Sequence, residues 1–108
     1  MIKVIYHRNL NRVSVTGHAQ SAKIGEDLVC ASASILINTL ASFVENMKES
    51  GQTKNPTIQL KEGDSLIRCS VPTRFKSGVT LVFDSICAGF ELLARDYPEN
   101  ISYEIRNS

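Results

Sequence analysis

Four residues are spaced so that together they can perform nucleophilic chemistry: His18, Asp27, Cys30 and Ser34. Asp27 reads as the N-cap of a helix, because a carboxylate there accepts from first-turn N–H groups that lack an intrahelical partner. Cys30 then falls in the first turn, where the helix dipole and free N–H groups favour thiolate over thiol. Ser34 lies four residues further on the same face, within reach of the sulfur or of a group beside it. His18 ends a strand, and a segment folding back between the two would bring its imidazole to the thiol as a general base. The same residues also fit a plainer arrangement, a thiol packed in a core and an imidazole in solvent.

The other thiols differ in setting. Cys87 sits inside the apolar stripe of a second helix and Cys69 inside a strand, positions where cysteine acts as a small hydrophobe. His7 stands beside Arg8 at a hairpin and reads as an exposed strand end. The chain has no CxxC, no HxxxH and no glycine-rich phosphate cradle, so neither a metal nor a cofactor is expected.

The elements that must position these groups come from 108 residues, 43% of them hydrophobic, with a net charge of +1. That length suits a single domain over residues 1–108, able to bury roughly 60–70% of its unfolded surface. Twelve cationic residues against eleven acidic ones leave no overall field for a phosphate backbone, which argues against direct nucleic-acid binding. Charge is uneven, however: Lys3, Arg8, Arg12 and Lys23 face only Glu26 in the first 26 residues. No apolar run approaches the ~20 residues of a membrane span. The start, MIKVIYHRNLN, lacks the apolar core and cleavage site of a signal peptide, so the expected location is the cytosol. Three irregularly spaced cysteines suit neither a disulfide framework nor a zinc ribbon.

Residues 2–8 and 12–18 read as a hairpin around Asn9-Leu10-Asn11. A polar stretch bracketed by Gly17 and Gly25 follows as a loop. From Asp27, three-four spacing of apolar residues to Met47 predicts a helix of some six turns, stopped by Gly51. TIQL and SLIRCSVP predict a second hairpin closed by Pro72, and residues 73–77 a polar loop. A second helix capped by Ser77 runs to Tyr97-Pro98, and Ile101, Tyr103 and Ile105 alternate in a last strand. The order β-β-α-β-β-α-β, with both helices on one face of a mixed five-stranded sheet, predicts an α+β fold, a two-layer α/β sandwich. Ile5 and Ile67 are expected on the uncovered face, where a second copy would make a homodimer.

At Gly17-His18-Ala19, through Gly25-Glu26-Asp27-Leu28-Val29-Cys30-Ala31, to Ser34, the sequence resembles the ribosomal-processing cysteine protease family, Prp. The similarity extends over the whole chain in length and element order. The commoner family run after the cysteine is VCAAVS, where this chain has Ser32 and Ala33.

The resemblance implies a cytosolic cysteine endopeptidase. Its substrate would be the twenty-seventh large-subunit ribosomal protein, made with an N-terminal extension and cut after aromatic residues. It implies Cys30 as nucleophile and His18 as base, with Asp27 and Ser34 in support and Gly17 turning the chain at the site. Ala19, Gln20, Ser21 and Gly25 would belong to a loop that contacts substrate. A non-enzymatic ribosome-assembly or RNA-associated module, using the basic first hairpin, is the alternative from another class. A thiol-redox sensor at Cys30 is a third, though no resolving thiol lies adjacent in sequence.

Overall fold

A computed structural model of the chain describes residues 1–18 and 24–107, with the backbone alone over 24–27. In β1 (Ile2–His7) and β2 (Arg12–Thr16) side chains alternate between faces, so Ile2, Val4, Tyr6 and Val13 are buried while Lys3 is exposed. The two strands are joined by a 3-10 turn over Arg8–Leu10 and by Asn11 in the left-handed region (φ 46°), which asparagine tolerates better than most residues. Asn11 is fully buried, and both its side-chain atoms and its carbonyl are hydrogen-bonded. Its Nδ2 donates to Thr80 Oγ1 at 3.2 Å, its carbonyl accepts from the Cys69 N–H at 3.3 Å, and its side-chain oxygen accepts from the Lys76 ammonium.

Helix α1 (Ile24–Asn46) buries Val29, Ala33, Ile37, Leu40 and Val44 along one stripe, and Thr53 closes its end by donating its hydroxyl to the Val44 carbonyl at 2.7 Å. Strands β3 (Lys54–Lys61) and β4 (Asp64–Ser70) form the second hairpin, α2 (Lys76–Asp96) buries Val79, Phe83, Cys87 and Phe90, and β5 (Ile101–Arg106) ends the fold. Both helical stripes meet the sheet face that carries Val4, Tyr6, Val13, Ile67 and Ile101. By length and composition alone Leu28–Asn46 and Thr73–Asp96 would be apolar enough to cross a membrane; in the fold each lays one stripe on the sheet.

The strand order is β3-β4-β2-β1-β5, antiparallel except for β1 beside β5. The expected two-layer α+β architecture is therefore the observed one. Four local expectations need correction. α1 begins at Ile24, so Asp27 lies inside the helix and is not its N-cap, and Gly25 falls in its first turn rather than in a loop. α2 begins at Lys76 after a 3-10 turn over Thr73–Phe75, so Ser77 is not a cap and residues 73–77 are not an irregular loop. Ile67 is wholly buried beneath the helices, because its place in β4 puts it in register with Val13 on the core face. His7 ends β1 but is half-buried.

One polar cluster ties β1 to α2. The Tyr6 ring stacks on Phe83 at 6.2 Å and its hydroxyl donates to Asp84 Oδ1 at 2.8 Å, while Arg8 forks onto the same carboxylate from Nε and Nη2, each at 3.0 Å. Hydrogen bonding from Arg8, assisted by Tyr6, holds the Asp84 carboxyl below its ordinary range although partial burial opposes this. Burial, and then Asp84, push the Tyr6 hydroxyl up, so it stays a donor.

Asp84→Ala leaves the Tyr6 hydroxyl without its partner and is expected to cost about 2 kcal/mol at neutral pH in urea denaturation. Because the folded carboxyl ionises more readily than the unfolded one, its stabilisation is complete above the unfolded value of about 3.9 and is lost as pH falls through the lower folded value. The gap between wild type and Asp84→Ala should therefore narrow in acid; a constant gap would refute the ionic part of this account.

Candidate functional site

β2 ends at Thr16, and its pairing with Asp64 sets the tight Glu62-Gly63 turn of the β3–β4 hairpin beside the chain that leaves β2. The Gly17 N–H donates to the Gly63 carbonyl at 3.0 Å, and the N-terminal ammonium donates to the His18 carbonyl at 3.0 Å. Gly17 sits at φ 92°, with no room on its other side: a Cβ there would lie 2.2 Å from the Met1 carbonyl oxygen. Only glycine satisfies both conditions. His18 thus leaves the sheet at a fixed point, exposed, with its ring lying over Gly63, where a Cβ would come within 2.3 Å of Cε1 and Nε2.

His18 and Gly17 line a cavity of about 590 Å³ whose opposite wall is α1, through Cys30, Ser34 and Ile37. The β3–β4 turn closes a third side with Leu60, Glu62 and Gly63. Cys30 is half-buried and Ser34 exposed, with the Ser34 carbonyl accepting from Asn38 Nδ2 at 2.7 Å. The cavity therefore brings together Gly17, His18, Cys30 and Ser34. The side chain of Asp27, and Ala19, Gln20 and Ser21 entirely, lie outside the described residues.

Because α1 begins at Ile24, Cys30 is its seventh residue, nearly two turns in. The expected position in the first turn is overturned, and with it activation of the thiol by free N–H groups, an effect that fades beyond that turn. The helix start supplies no anion-stabilising donors at Cys30 for the same reason.

The two other thiols are core groups. Burial pushes Cys69 up to about 11 and Cys87 up to about 12, leaving both protonated at neutral pH. Among the described residues no group of three or more His, Cys, Asp or Glu is arranged to hold a metal ion.

Sequence reasoning missed the wall made by residues 60–63. Glu62-Gly63 is legible as a turn, but nothing local says that this turn lies against His18.

Cys30, His18 and Ser34 line this one cleft, and the family model for cysteine protease Prp matches residues 1–102. The chain belongs to the cysteine protease Prp family. Among solved structures, the essential ribosomal processing protease Prp from S. aureus, in complex with a covalently linked product peptide, is similar over 98% of this chain and 100% of that one. The identity is 22% and the TM-score 0.71. The same protease in complex with a substrate peptide matches over 97% of both chains at 19% identity and a TM-score of 0.69. SMU.848 from Streptococcus mutans is similar over 96% of this chain and 90% of that one, with 26% identity and a TM-score of 0.62. At these identities the likeness to the S. aureus structures is one of fold. No curated protein sequence matches significantly.

In this Prp chain the contact of Gly63 with the His18 ring is open to a direct test. Gly63→Ala is expected to displace the imidazole, shifting its ring-proton NMR signals, and to cost about 1 kcal/mol for the positive φ of 76°. Gly17→Ala should be more damaging, since its clash is with backbone. Unchanged His18 signals in a folded Gly63→Ala protein would contradict the packing described.

Proposed function

We propose that this Prp-family protease removes the N-terminal extension of a large-subunit ribosomal protein, the twenty-seventh, using Cys30 as nucleophile and His18 as general base. The observation that carries the reading is that His18 and Cys30, on different elements, line one cavity. That cavity is open and partly apolar, bounded by Ile2, Val15, Ile37 and Leu60, which suits a peptide with bulky side chains at the cut.

In the proposed reaction the Cys30 thiol gives its proton to the His18 imidazole as sulfur attacks the scissile carbonyl carbon. The C–N bond breaks as the imidazolium protonates the leaving amine, leaving a thioester on Cys30. Water then attacks the thioester and gives a proton to His18; the C–S bond breaks, and acid product and free thiol result. Since Cys30 lies within the helix, His18 carries the activation of the thiol. Ser34, one helical turn from Cys30, and Asp27 are supporting groups in this reading; Ala19, Gln20, Ser21 and Gly25 contact substrate.

The reading places the protein in the cytosol, with the ribosomal precursor as partner. A homodimer is proposed with it, through Ile5 and Leu66 on the open sheet face, since Ile67 is taken up by the core. Light scattering after size exclusion is expected to give twice the chain mass at micromolar concentration; monomer alone would remove the dimer from the proposal.

Cys30→Ala is expected to abolish cleavage of a peptide spanning the extension and its junction, and His18→Ala to lower kcat/KM by at least about a hundredfold. Cys69→Ser and Cys87→Ser should instead lower stability and leave turnover nearly intact. Cleavage retained in a folded Cys30→Ala protein would overturn the assignment, and a junction peptide left intact by the wild-type enzyme would overturn the substrate.

A further inference from the structure

The sheet has two edge strands, β3 and β5, and of the two it is β3 that lines the cleft, through Leu60 and Lys61. Which of its backbone groups face outward follows from the neighbouring ladders. In an antiparallel pair a residue directs its N–H and C=O to the same side, and successive residues alternate. The Gly17 N–H donates to the Gly63 carbonyl at 3.0 Å and the Cys69 N–H to the Asn11 carbonyl at 3.3 Å, so residues 63, 65, 67 and 69 bond toward β2. Asp64, Leu66 and Arg68 therefore bond toward β3, through their partners Lys61, Gln59 and Thr57. Ile58 and Leu60 are left with N–H and C=O directed away from the sheet, where no further strand lies among the described residues.

The half of β3 remote from the cleft is closed to pairing. Its register breaks between Lys54 and Thr57, Asn55 stands at φ 48°, and Pro56 has no N–H to offer. Such breaks keep a free edge from recruiting other chains. Beyond them the strand runs regularly from Thr57 to Lys61, toward the cleft. Ile58 is in register with the buried Ile67 and packs on the core, so Leu60, two residues on, faces the same way. Its side chain is exposed and forms part of the cleft wall, three residues before the glycine against which the His18 ring lies. Leu60 thus gives its backbone to the open edge and its side chain to the cleft.

We infer that the edge of β3 at Ile58 and Leu60 pairs with an extended segment of the substrate polypeptide beside the scissile bond, which joins the sheet as a sixth strand. The inference rests on the proteolytic reading of Cys30 and His18 and adds where the chain on one side of the cut is held. Two N–H groups and two carbonyls grip two or three substrate residues through the backbone alone, whatever their side chains. Alternation then sorts those side chains: the ones on the side of Leu60 extend the apolar wall of the cleft, and the ones between them stand beside Gln59 and Lys61. The length of the open stretch decides against a second copy as occupant. Ile58 to Leu60 spans about 7 Å, whereas copies that associate stably bury about 800 Å² each. A dimer through Ile5 and Leu66 uses the face of the sheet and leaves this edge free.

The test uses the full chain as Cys30→Ala with the peptide spanning the extension and its junction, and follows backbone amides by NMR. At saturating peptide the Ile58 and Leu60 N–H groups are expected to exchange with solvent at least about tenfold more slowly, while those of Tyr103 and Ile105 on the opposite edge strand keep their rates. N-methylating the peptide one residue at a time should weaken binding about tenfold at alternate positions of the paired segment and little between them, because successive N–H groups of a strand point to opposite sides. In the active enzyme, Leu60→Pro removes an outward N–H and leaves the β3–β4 ladder intact. Its KM is expected to lie about tenfold above that of Leu60→Ala, which loses the same side chain but keeps the N–H. Thermal melting confirms that both variants are folded. A peptide that the wild type cleaves but that leaves Ile58 and Leu60 unprotected, or N-methyl losses without a period of two, overturns the inference and leaves the proteolytic reading standing. Protection without cleavage by the wild type overturns that reading and keeps the edge. A peptide neither bound nor cleaved overturns both.

Discussion

Everything at the cleft depends on one close approach of backbone to backbone. Where β2 ends, the chain passes so near the start of β1 that no Cβ fits at residue 17, and it does so at a φ that side chains rarely adopt. The Gly17 N–H and the His18 carbonyl are satisfied there by Gly63 and by the N-terminus, so the exit from the sheet is held on both sides by hydrogen bonds. A second glycine, Gly63, leaves room for the imidazole. The ring's position is therefore set by the absence of atoms as much as by any contact, and it rests on the sheet rather than on the helix that carries the thiol.

That division of labour is a reason for the fold to be built as it is. β1 and β2 sit near the middle of the sheet, under the stripes of both helices, and Tyr6, Asp84 and Arg8 bind β1 to α2 from the far side. The cleft lies between the rigid sheet and one flank of α1, with Cys30 on a helix whose own packing is fixed by Val29, Ala33 and Ile37. Interior packing leaves little freedom to such elements, so Cys30 and His18, on two different layers, keep their relation without touching a common neighbour in sequence. The buried thiols show the contrast: Cys69 and Cys87 are held protonated by the same core that positions Cys30 at its margin.

The open face of the sheet has a second character. Alternation puts one side of every strand under the helices and leaves the other to solvent, and on the solvent side Arg68, Arg12, His7 and Arg106 of four neighbouring strands stand in register at one end.

Element types and order were legible in the chain because each rests on short-range physics. Period two gives β1, β2 and β5, three-four spacing gives both helices, and Glu62-Gly63 gives a tight turn. The set of chemical groups, Cys30 with His18, was legible as residue types and through the resemblance around Gly17-His18-Ala19 and Val29-Cys30-Ala31. Helix starts were not. Asp27 and Ser77 have the chemistry of caps, yet both helices begin before them, since capping preference is worth about 1 kcal/mol and is readily outweighed by neighbouring structure. The strand order, and with it the wall at Gly63, the burial of Ile67 and the alignment of Arg68, Arg12, His7 and Arg106, was decided only in three dimensions. Each depends on register between strands distant in sequence, and no local pattern encodes which strand lies beside which.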